Sequence, residues 1–342
     1  MTTVADAPSA APYVAVLEMV FGAWNAVCIS AAADLVVADH LESGPKTTAE
    51  LAALTNVHED SLYRLLRALA GVGIFHEGEN RTFSQTPRSE VLRTHAKPSL
   101  RYAAPSLLDP WQFNSLQAIR STIANGRTGT KNAFGAELFE YLGSHPEQAV
   151  SFNRCMTDLS AGDTPAVLAA YDFSGFEHIV DVAGGVGGML AGILDSAPRL
   201  RGTLFDQPSV IQQAKTDRLL DHLGSRCDMA SGDFLESVPA GADAYIMKHI
   251  IHDWDDARAA KILQNCRRVM KAGGKILVVD RVIGPPNAPD PKKFFDVAMM
   301  LMPGGRERTA SEWHALFALS GLQVARIVDT PGPLSIIEGV PA

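Results

Sequence analysis

Apolar residues recur at helical spacing from residue 12 to 42, and again in "HEDSLYRLLRALAGVGIF", where Leu62, Leu65, Leu66 and Leu69 share one face. Between them, "TTAELAALT" sets Thr47 three residues before Glu50, the spacing of a capping box, and predicts a short helix. Gly71 and Gly73 end the second helix, and "IFHEGENRTFSQT" reads as strand, Gly/Asn turn and strand. Together these segments predict a winged helix, a unit that can lay its second helix in a DNA groove. From residue 100 to 170 the helical rhythm continues, with Trp111, Phe113, Phe134, Phe139, Tyr141, Phe152 and Met156 suited to helix cores or to the wall of an apolar pocket. Past Gly175 the rhythm changes. "HIVDVAGG", "GTLFDQP", "CDMASGDF", "DAYIMKHI" and "KILVVDR" are short apolar runs alternating with helical segments, which predicts a mostly parallel sheet covered by helices. "LQVARIVDT" and "PLSIIEGVP", joined by "PGP", predict a hairpin closing one sheet edge.

At 342 residues and 46% hydrophobic content the chain can bury two moderate cores. A net charge of −8 argues against a nucleic-acid partner, which needs clustered Lys and Arg to neutralise phosphates. The winged helix offers only Arg64 and Arg67 against His58, Glu59, Asp60, Glu77 and Glu79, so packing or dimer formation is its expected use. Uninterrupted apolar runs such as "AAADLVVA" and "YIMKHII" fall short of the roughly 20 residues that cross a bilayer, and no membrane partner is expected. The start "MTTVADAPSAAPYV" lacks the basic opening of a signal peptide and reads as an unstructured lead-in; the expected location is cytoplasmic. Cys28, Cys155, Cys227 and Cys266 lie far apart without ligand spacing and are read as reduced thiols, mostly buried.

"VDVAGGVGGML" follows an apolar strand and opens a helix, with Gly184, Gly185, Gly187 and Gly188 allowing close approach of a ligand to backbone. In dinucleotide enzymes such a loop carries pyrophosphate, but here Asp181 stands before it and would repel phosphate. Asp206 ends the next strand, where a carboxylate grips ribose hydroxyls. Asp233 and Phe234 follow the third strand, an acid for an adenine amino group beside a ring that can stack.

"DVAGGVGG", "FDQP", "GDF", "MKHIIHDWDD" and "GGRERT", in that order, resemble the S-adenosylmethionine-dependent O-methyltransferases of the plant caffeic-acid type, and more closely their bacterial relatives that tailor phenazine- and anthracycline-like natural products. The resemblance covers nearly the whole chain. It implies a Rossmann-like α/β class I methyltransferase domain with a mostly parallel sheet, preceded by a mainly helical winged-helix dimerisation domain, in a homodimer. The expected boundaries are 1–100 for dimerisation, 101–170 for a helical linker contributing to the substrate pocket, and 171–342 for the catalytic domain that binds S-adenosylmethionine. It further implies that Asp206 binds the cofactor ribose and Asp233 and Phe234 its adenine. The loop of Ala183, Gly184, Gly185 and Gly187 would hold the methionyl part, with Lys248 and Arg154 as further cofactor contacts; Asp181 and Gln207 join the same set. Ala183 departs from the family, which usually has glycine there.

In "MKHIIHDWDD", His252 follows the fourth strand, at the edge where open α/β sheets bind ligands. The plainer alternative makes Asp253 a helix cap, Trp254 core and His252 an incidental loop residue. A phenol, with a pKa of about 10, is mostly protonated at neutral pH, whereas an imidazole of ordinary pKa, about 6.5, is free to take its proton. Full transfer across that gap of roughly 3.5 units would cost about 5 kcal/mol, so proton removal is expected to accompany methyl transfer. A neutral base needs its other nitrogen held, and the resemblance points to Asp280 and Glu307 for this, although plant members carry glutamate where Asp280 stands. His249 is a rival base, but is placed within the strand as a pocket wall. Asp253, Trp111, Met156, Met299 and Met302 complete the expected acceptor pocket, with Met300 beside them. No metal is required. The expected activity is therefore O-methylation of a phenolic secondary metabolite. N- or C-methylation or hydroxylation at the same cofactor site is one alternative, and a winged-helix regulator sensing a ligand is another.

Overall fold

The computed structural model describes residues 11–342, so the lead-in expected at the start falls largely outside the described residues, and from Pro12 the chain is already helical. The chain forms two compact units: one holds the residues up to Phe113 with Glu147–Leu159, the other Asn114–Pro146 with Ser160–Ala342.

In the first unit, α1 (Pro12–Asp34) precedes a small antiparallel sheet of β1 (Lys46–Thr47), β2 (Phe75–Glu77) and β3 (Thr82–Gln85), with α2 (Thr48–Thr55) and α3 (Glu59–Gly71) between its strands. The predicted capping box is present: the Thr47 hydroxyl accepts from the Glu50 amide, and the Glu50 carboxylate accepts from the Thr47 amide at 2.7 Å. Leu62, Leu66 and Leu69 of α3 pack with Leu51, Phe75 and Phe83, which makes the winged-helix core. By length and composition α1 is apolar enough to cross a membrane. Reading uninterrupted runs overlooked this, because Glu18 and Asn25 break the run without making the helix polar on average.

Short helices lead from Ala103 to Ser144 into α4 (Pro146–Ala170), which contributes residues to both units. The second unit is built on seven strands: β4 (His178–Val182), β5 (Arg201–Asp206), β6 (Cys227–Ser231), β7 (Ala244–Lys248), β8 (Lys275–Asp280), and the hairpin β11 (Leu322–Asp329) and β12 (Ser335–Pro341). A separate parallel pair, β9 (Val282–Ile283) and β10 (Arg308–Thr309), lies between them in sequence. The main sheet runs β11-β12-β8-β7-β4-β5-β6, parallel from β4 to β8 and antiparallel at β12. Its central strands are covered on both faces, which is why Ile276 to Val279 and Ala244 to Met247 are apolar without alternation and fully buried. The helices α5 (Gly188–Ser196), α6 (Pro208–Asp217), α7 (Asp256–Val269), α8 (Lys292–Leu301) and α9 (Ala310–Leu319) complete this unit. After β4 the chain winds outward to β5 and β6, then returns to the other side at β7. The strand order therefore reverses between β4 and β7, the crevice where open sheets take their ligands.

Candidate active site

The loop after β4 is shaped by close approach. A Cβ on Gly184 would lie 2.5 Å from the Asp181 carboxylate and 2.6 Å from Leu204, so only glycine fits there. Ala183, where glycine was the expected family residue, has φ +56 and donates its amide to Phe205 O at 2.7 Å. That left-handed backbone strains an alanine by about 1–2 kcal/mol. Asp181 is buried, and its Oδ2 has no hydrogen-bond partner among the described residues. Burial raises its pKa to about 7, against the pull of Lys248. Asp206 accepts from the amides of Gly185 at 2.9 Å and Gln207 at 2.7 Å, which leaves lone pairs on both oxygens for hydroxyl donors. Asp233 is exposed and accepts from Leu235 N at 2.8 Å, while Phe234 meets the Trp254 ring edge-on at 5.9 Å. Lys248 donates to Ser160 Oγ on α4 at 2.5 Å. Burial holds its pKa below the ordinary lysine value although Asp163, Asp181 and Asp280 pull it up. An orphaned buried carboxylate oxygen, a backbone cradle at Gly184 and a carboxylate with free lone pairs suit a cofactor bearing an amine and ribose hydroxyls.

Just past β7, His252 lies on a single turn (Ile251–Asp253) and is 5% exposed. Its Nδ1 is 2.9 Å from Glu307 Oε1 and 3.5 Å from Asp280 Oδ1, its backbone amide donates to Asp280 Oδ2 at 3.3 Å, and its Nε2 is 3.6 Å from Asp253. Asp280 ends β8, and Glu307 precedes β10, anchored by its amide to Asp296 at 2.9 Å. Gly305 packs against the His252 carbonyl, where a Cβ would overlap it, and Arg306 N donates to the same oxygen at 2.8 Å. Burial lowers the His252 pKa, but Asp280, Glu307 and Asp253 more than offset that and hold it at about 9. This corrects the ordinary value assumed from sequence: three carboxylates converge where two were expected. Burial raises Asp280 to about 7 and Asp253 to about 6.

His249 is not within the strand, as expected, but immediately after it, at φ +58. Its ring stacks on His252 at 5.3 Å, and its Nε2 is 2.8 Å from Asp163 on α4. Burial keeps it neutral, with a pKa near 3. The helix cap assigned to Asp253 in the plainer alternative belongs to Asp255, which accepts from Arg258 N at 2.8 Å. Trp254 does pack, stacked on Phe139 at 6.0 Å. Met302 is buried at the end of α8 and Met299 half-buried on it, with Met300 more exposed. In the first unit Trp111 is buried against Phe152, while Met156 is half-buried and Arg154 exposed on α4, the latter 5.3 Å from the Tyr102 ring. Sequence reasoning missed Asp163, Ser160 and Arg281, whose guanidinium donates to Glu307 Oε1 at 3.3 Å and lies 3.7 Å over Phe295. Nothing local marks them, since each acts across a long sequence separation.

A doubly wound sheet with a close-packed glycine loop after β4 and a buried, carboxylate-held histidine past β7 suits a methyltransferase of the S-adenosylmethionine-dependent class. Residues 116–323 match the O-methyltransferase domain and residues 17–95 the O-methyltransferase dimerisation domain, and the chain belongs to that family. It is 38% identical to a phenazine O-methyltransferase of Lysobacter antibioticus over 95% of both chains. It is 36% identical to a mitomycin biosynthesis 6-O-methyltransferase of Streptomyces lavendulae, over 94% of this chain and 92% of that one. A calicheamicin-biosynthesis methyltransferase, solved with S-adenosylhomocysteine bound, superposes with a TM-score of 0.87 at 34% identity, covering 98% of this chain and all of that one. The protein is thus an S-adenosylmethionine-dependent O-methyltransferase, and S-adenosylmethionine is its cofactor.

Proposed function

We propose that the enzyme methylates a hydroxyl of an aromatic, phenolic small molecule in secondary metabolism, with His252 as general base. The observation that carries this reading is the buried His252 ring, whose Nδ1 is held by Glu307 at 2.9 Å, so that Nε2 is the nitrogen left to accept a proton. Bound S-adenosylmethionine supplies an electrophilic methyl on a sulfonium, which departs as a neutral thioether. His252 Nε2 takes the phenolic proton as the oxygen attacks, and Glu307, Asp280 and Asp253 stabilise the imidazolium that forms. The carboxylates that raise His252 to about 9 bring its proton affinity towards that of a phenol, at the cost of a smaller share of neutral base near neutral pH.

On the cofactor side, Asp206 with Gln207 is assigned the ribose, Asp233 and Phe234 the adenine, and Asp181, Ala183, Gly184, Gly185, Gly187, Lys248 and Arg154 the amino-acid end. Trp111, Met156, His249, Asp253, Met299 and Met302 are assigned to the acceptor. Residues 1–100 serve dimerisation, 101–170 the acceptor pocket and 171–342 catalysis, in a cytoplasmic homodimer without nucleic-acid or membrane partners. Labelled S-adenosylmethionine offered with a panel of hydroxylated aromatics, followed by product mass and position analysis, tests the assignment. Transfer to nitrogen or carbon alone would displace it.

A further inference from the structure

The base cluster holds buried carboxylate oxygens that no donor satisfies among the described residues. Asp280 is fully buried, and its Oδ1 has no hydrogen-bond partner among the described residues. A buried ionisable oxygen without a donor is costly unless a positive charge can sit beside it. His252 Nδ1 is 3.5 Å from that oxygen and His249 Nδ1 is 3.9 Å from it, and one ligand atom from each of the three residues lies within 4.8 Å of the other two. A tetrahedral zinc ion with ligands at about 2.0–2.1 Å sets neighbouring donor atoms about 3.4 Å apart. The His252–Asp280 edge of 3.5 Å already matches, and the His249–Asp280 edge of 3.9 Å is about half an ångström longer. Glu307 Oε2, buried and also without a partner among the described residues, is a further donor from the same cluster.

The second nitrogen of His249 strengthens this reading. Its Nε2 is 2.8 Å from the Asp163 carboxylate, the outer partner that metal-ligating histidines usually carry. That bond commits Nε2 as the donor and leaves Nδ1 as a lone pair on the side of Asp280. We propose that His249, His252 and Asp280 form a site for a divalent transition ion, zinc above all, oriented by Asp163 and distinct in purpose from the methyl-transfer reaction. Two imidazoles and a carboxylate are a donor set that zinc favours over magnesium or calcium.

The consequence follows from tautomers. Zinc on Nδ1 of His252 replaces the proton held towards Glu307; starting from the imidazolium, that proton is released to solvent and the other stays on Nε2. Nε2 is then a donor and cannot accept the phenolic proton. Zinc therefore inhibits by locking the base in its inactive tautomer, without competing with S-adenosylmethionine. The inhibition rests on His252 being the base; the binding does not.

The test uses the full-length enzyme after chelator treatment, titrated with zinc against a chromogenic chelator and with cobalt(II) by visible absorption. Expected are one equivalent per chain and inhibition at stoichiometric zinc. Asp163→Asn should weaken binding about 10–100-fold, the range for loss of such an outer carboxylate, with retained S-adenosylhomocysteine binding as the check that it folds. Should that variant fail to fold, His249→Gln decides, through loss of the cobalt spectrum. Zinc held as tightly by the folded variants, or no stoichiometric binding in the wild type, overturns the site. Stoichiometric binding that leaves turnover intact upholds the site and instead removes His252 from the role of base.

Discussion

The Nδ1 of His252 and the Oε1 of Glu307 are 2.9 Å apart in a setting where both side chains are buried, so the imidazole cannot turn over without breaking a charge-assisted bond. His252→Ala is expected to lower kcat by about 10²–10⁴ with S-adenosylmethionine affinity nearly unchanged. Glu307→Gln keeps the shape but lets the amide present a donor to Nδ1, and should give a smaller loss confined to kcat. Calorimetry for the cofactor and steady-state kinetics for the acceptor separate these effects; wild-type kcat in His252→Ala would leave the residue as mere packing.

The pH profile carries a sign that can be worked out. His252 is raised to about 9, so its contribution to stability is complete below its unfolded pKa of about 6.5 and is lost as pH rises through about 9. Catalysis runs the other way, because the base must be neutral. In chelator-treated enzyme kcat should therefore climb through about 9 rather than near the ordinary imidazole value of about 6.5, spread out by the ionisation of Asp280 near 7. An acidic phenol that is already ionised at pH of about 8 removes the need for a base, so the deficit of His252→Ala should shrink with it. A limb at about 6.5 in the wild type would show that the carboxylates are neutralised in the working enzyme.

How much of this was legible in the sequence differs from element to element. The central strands announced themselves because a strand covered on both faces has no polar positions, as in Ile276 to Val279. Thr47 and Glu50 disclosed a helix start through a contact three residues long. His252 was visible by its place behind the fourth strand, but its raised pKa was not, since it depends on Asp280 and Glu307 arriving from 28 and 55 residues away. Asp163 reaches His249 across 86 residues, and no local pattern in α4 marks it. The backbone of His249 was misplaced for the same reason: "YIMKHII" reads as one strand, yet the left-handed turn at His249 ends it at Lys248.

Gly184→Ala is expected to abolish cofactor binding or folding. The added methyl would meet the Asp181 carboxylate at 2.5 Å and Leu204 at 2.6 Å, and both neighbours are buried with no room to retreat. Overpacking of this kind costs about 1–3 kcal/mol before any loss of ligand contact. Asp206→Ala leaves the loop its space and should cost about 1–3 kcal/mol of cofactor binding, the range for a lost hydrogen bond to a charged group. Isothermal titration with S-adenosylhomocysteine, beside thermal melts, distinguishes the two, and unchanged affinity in Asp206→Ala would take that residue out of the cofactor site.

The final prediction concerns α1. Tyr13 is 77% exposed, Met19 78% and Trp24 70%, and Phe21 and Trp24 sit ring to ring at 5.3 Å, so the helix presents apolar side chains with nothing over them in a single chain. A bilayer and a second copy would both cover such a face. Residues 17–95 match a dimerisation domain, which favours the second copy. Burying a side chain of this size contributes about 1.5–3 kcal/mol, and two-fold symmetry counts each residue twice. Replacing Met19 and Trp24 by glutamate should therefore raise the dimer dissociation constant by at least about 10⁴-fold, from the lower figure applied to four side chains. Sedimentation velocity at micromolar concentration should show a wild-type dimer and a monomeric double variant. Flotation with neutral lipid vesicles should leave the wild type in the aqueous fraction; a wild-type monomer that floats with the vesicles would assign α1 to the bilayer instead.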